Sequence, residues 1–275
     1  MNAPKNPTLV LGGTGKTGRR IVDRLQKLDL PVRVGSRSAH PPFDWEDRST
    51  WRPALDGITQ AYVSYYPDIC VPGALETVQA FFQEALSAGV TKLVLLSGRG
   101  EVEAEQAEKA LQATNVDWTI LRCSFFNQNF SENFFLDPIL AGEVALPVGS
   151  VAEPFVDAED IADVAVAALT QTGHARKLYE LTGPRAITFE QAVAEISDVT
   201  KRPIRYSTVS TDEYATRMRH AQVPEEIIGL VLYLFGTVLD GRNTPTADGV
   251  LQALGRQARD FSDYVRRTAP TGVWG

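Results

Sequence analysis

Residues 8–21, Thr-Leu-Val-Leu-Gly-Gly-Thr-Gly-Lys-Thr-Gly-Arg-Arg-Ile, run an apolar strand into a glycine-rich turn and directly into a helix. Few folds begin that way. Glycines at 12, 13, 15 and 18 satisfy both Gly-x-Gly-x-x-Gly and the wider Gly-x-x-Gly-x-x-Gly. Gly12 or Gly13 makes the tight turn, Gly15 removes a side chain so that the backbone can approach a pyrophosphate, and Gly18 lets the helix lie close to the sheet. The unpaired N–H groups at the helix start carry roughly half a positive charge, which suits a diphosphate. Gly15-Lys16-Thr17 resembles the end of a P-loop, but that motif requires glycine at position 10, where Val stands.

Beyond the first helix (16–28), Pro31 to Ser38 reads as a second strand ending where a dinucleotide's adenosine ribose sits. An acidic residue here would bind the 2′-hydroxyl, whereas Arg37, flanked by Ser36 and Ser38, offers donors to a 2′-phosphate and selects NADP(H). Phe43-Asp44-Trp45 reads as a short third strand leading to the adenine pocket. Strands at 58–65, 92–97, 117–122 and 177–182 alternate with helices at 71–88, 103–114 and 157–169, and further helices follow at 188–199, 211–220 and 224–240. Alternation of this kind predicts an α/β chain with a Rossmann-like, doubly wound parallel sheet and a small, mostly helical C-terminal lobe. The expected division is a dinucleotide-binding domain over 1–150. The remaining sheet elements and a substrate or interaction lobe fill 151–275, packed as one unit with the first.

Ligands of such sheets bind beyond the carboxyl ends of the strands. The cofactor candidates are accordingly Gly12, Thr14, Gly15, Lys16, Thr17 and Gly18 around the diphosphate, and Ser36, Arg37 and Asp44 on the adenosine side. Ser64, Tyr65, Ser97 and Cys123 are expected toward the ribose and nicotinamide. Tyr66, Phe126, Asn127 and Asn129 are candidates for the substrate side, with Tyr65, Tyr66 and Asn127 the candidates for catalysis. The aromatic stretch 124–135 reads equally as a substrate wall or as core.

Composition weighs against several classes. A net charge of −7 disfavours a nucleic-acid partner. The longest apolar run, Ile227 to Leu239, falls short of the ~20 residues that span a bilayer, and residues 1–7 carry no charged and apolar leader. A cytoplasmic protein with no membrane partner is expected. Cys70 and Cys123, the only cysteines, suggest neither a disulfide nor a metal site, and His40, His174 and His220 are isolated. Self-association is left open.

Gly12-Gly-Thr-Gly-x-x-Gly18, Asp117-Trp-Thr-Ile-Leu-Arg122, Phe126-x-x-Asn129-Phe130, Pro154-Phe-Val-Asp157-x-x-Asp160-Ile-Ala162 and Tyr179-x-Leu-Thr-Gly-Pro184 together resemble the NmrA-like branch of atypical short-chain dehydrogenases. Within that branch, Gly12 to Ile21, Ser36-Arg-Ser38, Phe43-Asp-Trp45 and Val94-Leu-Leu-Ser97 are similar to the ergot-alkaloid festuclavine/agroclavine dehydrogenase type. The resemblance implies NADP(H) binding and, in those relatives, hydride transfer to an iminium carbon. Ordinary short-chain dehydrogenases protonate a carbonyl oxygen through Tyr-x-x-x-Lys, yet no tyrosine here has lysine four residues later. Glu101, Glu103, Glu105, Glu108 and Lys109 follow the 92–97 strand instead, most of them expected on a solvated face. A cationic iminium needs no proton donor and a quinone can take protons from water. The expectation is therefore an NADPH-dependent oxidoreductase acting on a small apolar or aromatic acceptor, imine, iminium or quinone-like, without the tyrosine–lysine donor. The alternative is a non-catalytic NADP(H)-binding sensor that offers 227–239 to a partner.

Overall fold

A computed structural model describes residues 6–275. Residues 1–5, part of the stretch read as lacking a leader, lie outside the described residues. In chain order the elements are β1 (Thr8–Leu11), α1 (Lys16–Lys27), β2 (Val32–Gly35), α2 (Trp51–Leu55), β3 (Gln60–Val63), α3 (Ala74–Ser87), β4 (Lys92–Gly98), α4 (Val102–Gln112) and β5 (Asp117–Cys123). There follow α5 (Leu136–Ala141), β6 (Glu143–Leu146), β7 (Ala152–Glu153), α6 (Ala158–Thr170), β8 (Lys177–Leu181), β9 (Ile187–Thr188), α7 (Phe189–Thr200) and β10 (Arg205–Thr208). The chain closes with α8 (Thr211–His220), α9 (Glu225–Tyr233), α10 (Gly249–Leu254) and α11 (Phe261–Thr268).

Two compact units are interleaved along the chain. One comprises the chain up to Cys123 with Ala158–Leu181 and Gly249–Arg256; the other comprises Ser124–Asp157, Thr182–Asp248 and Gln257–Gly275. The chain first changes unit at Ser124.

The first unit is built on a six-stranded sheet in the order β2-β1-β3-β4-β5-β8, all neighbours parallel. Thr8 to Leu11, Leu93 to Leu95 and Thr119 to Leu121 are buried, as parallel strands covered on both faces require. One face packs Leu9, Leu11, Val63, Leu93 and Leu95 against Phe81, Phe82 and Leu111 of α3 and α4. On the other, α1 turns Ile21 and Leu25 inward, one helical turn apart, while Arg20 and Arg24 pair with Glu159 and Asp163 of α6 at 2.6 and 2.7 Å. The strand order reverses direction from β1, with β2 on one side and β3 on the other, and the crevice at such a reversal is where doubly wound sheets take their ligands.

Phe43-Asp44-Trp45 forms no strand. Phe43 donates its N–H to Ser36 O at 2.9 Å, and the Asp44 carbonyl accepts from Trp51 Nε1 at 2.7 Å. The Phe43 ring stacks with Trp51 and meets Trp45 and Phe81 edge-on. Burial of three aromatic rings decides the path of this segment, and its backbone groups are spent on turns instead of a ladder.

The second unit holds five of the helices, α5, α7, α8, α9 and α11, with two small sheets, parallel β10-β6 and antiparallel β7-β9. Its core is an aromatic cluster of Phe130, Phe135, Phe155, Phe189, Phe235 and Phe261. Thr188 and Gln191 form a reciprocal capping box at the start of α7. The apolar run 227–239 becomes α9 and a π-helical turn over Leu234–Val238, burying Ile228, Val231, Phe235, Val238 and Leu239. Among the described residues, no helix is long and apolar enough to cross a membrane.

Candidate functional site

The glycine turn resolves into the wider spacing. Gly12 leaves β1 at φ +63, a left-handed conformation that suits glycine, and its N–H donates to Gly35 O at 3.0 Å. Gly15 is the N-cap of α1 at φ −81, with no side-chain cap and no acidic residue in the first turn, so its partial positive charge is uncompensated. A Cβ on Gly15 would touch only the Gly12 carbonyl oxygen, at 3.2 Å, whereas one on Gly18 would lie 2.1 Å from that same oxygen. A Cβ on Gly13 would meet Val10 O and Val34 Cγ1, each at 2.9 Å. Gly12 therefore makes the turn, Gly13 and Gly18 allow close packing, and Gly15 stands at the open side. Thr14 is exposed and Lys16 half-buried. Thr17 is buried and its hydroxyl accepts from Tyr62 at 2.9 Å, so only its backbone faces the turn. Burial pushes the Tyr62 phenol well above its ordinary value.

Past β2, the Ser36 and Ser38 hydroxyls lie 3.3 Å apart, and Arg37 is exposed with no hydrogen bond or ion pair to any described residue. Asp44 is half-buried, and its carboxylate accepts from the Glu46 N–H at 3.1 Å. At the end of β3, Ser64 accepts through its carbonyl from Trp45 Nε1 at 3.2 Å, and its Oγ would lie 3.3 Å from a Cβ at Gly12. Tyr65 packs on Trp45 with ring centres 4.9 Å apart. Tyr66 is 70% exposed and precedes a cis peptide bond to Pro67. The ends of β1 and β3 are thus adjoining, as the strand order requires.

The ends of β4 and β5 carry a buried polar network. Ser97 is buried and its hydroxyl donates to Glu108 Oε1 at 2.6 Å. Glu108 is only 2% exposed; it also accepts from Arg122 Nε at 2.9 Å, and Arg122 reaches Glu180 at 3.1 Å. Glu108 is therefore the anchor of a buried network and not part of a solvated face. Cys123 is buried at the close of β5, where burial and the charge of Glu101 push its thiol upward.

Glu101, likewise buried, is the N-cap residue of α4. Its carboxyl group lies on Gly98, where a Cβ would fall 2.1 Å from Oε2. A carboxylate oxygen of Glu101, one of Asp68 and the Cys70 Sγ all lie within 4.8 Å of one another. Burial first, and then the charges of Asp68, Glu103 and Glu108, push Glu101 well above the usual carboxylate range; Asp68 is raised by burial. The Cys70 thiol rises for the same reasons, burial before Asp68 and Glu101. Sequence reading missed this trio because Asp68 and Cys70 come from the loop after β3 and Glu101 from the start of α4. The nearest signal is the pair Gly98 and Gly100, the latter at φ +80, which lets the chain fold a carboxylate back over the strand end.

In the second unit, Phe126 bridges to Val156, and Asn127 donates its N–H to Val156 O at 2.9 Å. The Asn127 side chain is fully buried, and neither its amide oxygen nor its nitrogen has a hydrogen-bond partner. An amide left so costs roughly 1–3 kcal/mol for each unsatisfied group. Asn129 is half-buried, donating its N–H to Phe126 O at 3.1 Å. Phe130 and Phe135 of the aromatic stretch are core residues, and Phe134 is exposed.

The chain matches no family model. It is 30% identical to festuclavine synthase II of Penicillium roqueforti, an alignment that covers 94% of this chain and 96% of that protein. It is 28% identical to an NAD(P)H azoreductase of Xenophilus azovorans over 95% of this chain and 97% of the relative. In fold it is similar to an Escherichia coli NADPH-dependent quinone oxidoreductase crystallised with NADPH, with a TM-score of 0.79 at 18% identity over 94% of this chain and 99% of that one.

Proposed function

The chain belongs to the NmrA-like family of atypical short-chain dehydrogenases/reductases, and from that membership we propose an NADPH-dependent oxidoreductase that delivers hydride to a small apolar or aromatic acceptor. The observation that carries the cofactor assignment is the turn itself: Gly12 at positive φ and Gly15 open on its outer side, at the mouth of an uncapped helix with no acid in its first turn. The residues present fit a dinucleotide. Backbone N–H groups at the start of α1 would hold the diphosphate. The unpaired guanidinium of Arg37, beside Ser36, would hold the 2′-phosphate through parallel charge-assisted hydrogen bonds. Ser64 and Tyr65, steadied by Trp45, would flank the ribose.

Bound there, the reduced cofactor supplies hydride from the nicotinamide ring. The protein contributes orientation and exclusion of water, which together can lower a barrier by several kcal/mol. Tyr66, exposed at the end of β3, is the substrate-side candidate of the first unit. Acceptors of the azo and quinone classes are proposed in keeping with what an azoreductase relative and a quinone oxidoreductase neighbour are named for, and an iminium acceptor from the resemblance to the clavine dehydrogenase type. Ile228, Val231, Phe235, Val238 and Leu239 of the 227–239 run are spent on the core of the second unit, and no observation favours the sensor.

The test is calorimetric titration with NADPH and NADH, followed by NADPH oxidation with azo, quinone and iminium acceptors. Tight NADPH binding with turnover of at least one class is expected. Binding without turnover of any would return the protein to the sensor reading.

A further inference from the structure

Asp68 and Glu101 lie just past the carboxyl ends of β3 and β4, the end of a doubly wound sheet at which ligands react. Glu101 is withdrawn from water at 7% exposure, and its Oε2 has no hydrogen-bond partner. Asp68 is half-buried and accepts from the Cys70 N–H at 3.1 Å. The titratable groups that face Glu101 are Asp68 and Cys70 from the loop after β3, Glu103 and Glu108 from α4, and Cys123 from β5. All are acids or thiols, with no cation among them. Two carboxylates held this close in a dry site do not both ionise, because each raises the cost of charging the other.

We propose that Asp68 and Glu101 hold one proton between them and that Glu101 delivers it to the heteroatom of the acceptor during reduction. This rests on the reductase function proposed above. It supplies what the absent Tyr-x-x-x-Lys would otherwise provide, for those acceptors that need it. The acceptor double bond, N=N in an azo compound or C=O in a quinone, gains hydride from reduced nicotinamide and a proton from Glu101. Two electrons leave the cofactor and enter the acceptor, which ends with one new bond to hydrogen from each source. Glu101 is left as a carboxylate and regains its proton from water by way of Asp68, the more exposed of the pair. The unmatched Oε2 is the atom at which the acceptor would complete a hydrogen bond. A pre-formed N-alkyl iminium already carries its positive charge and uses hydride alone, so the pair is idle with it.

The experiment compares the parent with Glu101→Gln, which keeps the shape beside Gly98. Infrared spectra at neutral pH should show a protonated carboxyl stretch in the parent that disappears in the variant. A parent without that band, whether both groups are ionised or bridged by a divalent cation, overturns the shared proton. With NADPH, the variant should lose roughly 10²- to 10⁴-fold in kcat toward azo or quinone acceptors, the usual contribution of a general acid. It should stay within a few-fold of the parent toward the iminium, with unchanged NADPH affinity. Equal losses toward both acceptor kinds would mark Glu101 as structural, and no loss toward either would mark it as a bystander; both overturn proton delivery. A parent that oxidises NADPH with none of the acceptors removes the reductase function and the delivery step with it, while the infrared band still decides whether the pair holds its proton.

Discussion

The carboxylate of Glu108, 2% exposed, accepts from Arg122 Nε at 2.9 Å. The pair joins α4 to β5, and the hydrogen bonds to Glu108 are the largest cause holding the Arg122 guanidinium above its ordinary value. Breaking a buried ion pair from one side leaves a charge without its partner and costs about 3–5 kcal/mol. Arg122 keeps Glu180, so Glu108→Ala should cost about 3 kcal/mol, read by urea denaturation. A loss below about 1 kcal/mol would place the pair with ordinary surface salt bridges.

Gly15 and Gly18 should separate binding from folding. At φ −81, Gly15 carries no left-handed strain, and its Cβ would meet the Gly12 carbonyl oxygen at a tight 3.2 Å. Gly15→Ala should leave the fold intact and abolish NADPH binding, because the methyl occupies the pyrophosphate's place. Gly18→Ala places a carbon 2.1 Å from a backbone oxygen and forces α1 off the sheet. Circular dichroism and calorimetry distinguish the two; a folded Gly15→Ala with parental NADPH affinity would defeat the cofactor assignment.

Arg37 should discriminate NADP(H) from NAD(H). Each charge-assisted hydrogen bond is worth roughly 1.5–3 kcal/mol before solvent weakens it. With the side chain exposed, Arg37→Ala should cost about 1.5–3 kcal/mol for NADPH, roughly 10- to 150-fold in affinity, and leave NADH nearly unchanged. High salt should shrink the difference. Equal weakening of both nucleotides would show that Arg37 does not read the 2′-phosphate.

Glu101 should make stability fall with rising pH. Its carboxyl is raised by burial first, then by Asp68, Glu103 and Glu108. A raised carboxyl keeps its proton in the folded state while the unfolded chain releases one near pH ~4.3, so its contribution is full below that value and is lost as pH climbs through the folded-state pKa. With carboxylate oxygens of Asp68 and Glu101 no more than 4.8 Å apart, two charges repel by roughly 3–4 kcal/mol at an effective dielectric of ~20. Glu101→Gln should therefore gain stability over the parent as pH rises from about 5 to 8. Parallel denaturation curves at the two pH values would sink this.

Much of the first unit was readable from local pattern. Apolar runs of strand length, helical spacing as at Ile21 and Leu25, and glycines at 12, 15 and 18 are short-range signals, and they placed β1, α1, β4, β5 and β8 within a residue or two. Phe43-Asp44-Trp45 shows the limit: its composition suits a strand, but the rings of Trp51 and Phe81, distant in sequence, claim Phe43 for the core.

The sequence alone determined that a glycine turn would join an apolar strand to a helix, and that alternating elements would stack into a parallel sheet, because backbone sterics and hydrophobic periodicity act over a few residues. Only the tertiary structure decided that Gly12 takes the positive φ and that Ser97 turns its hydroxyl to Glu108. It alone placed Asp68, Cys70 and Glu101 together, and made the chain leave the first unit at Cys123 and return at Ala158. Those outcomes depend on which strand lies beside which. β3 and β4 are neighbours across the sheet although a helix separates them in sequence, so loops more than thirty residues apart share one strand-end surface, a proximity that no local spacing encodes.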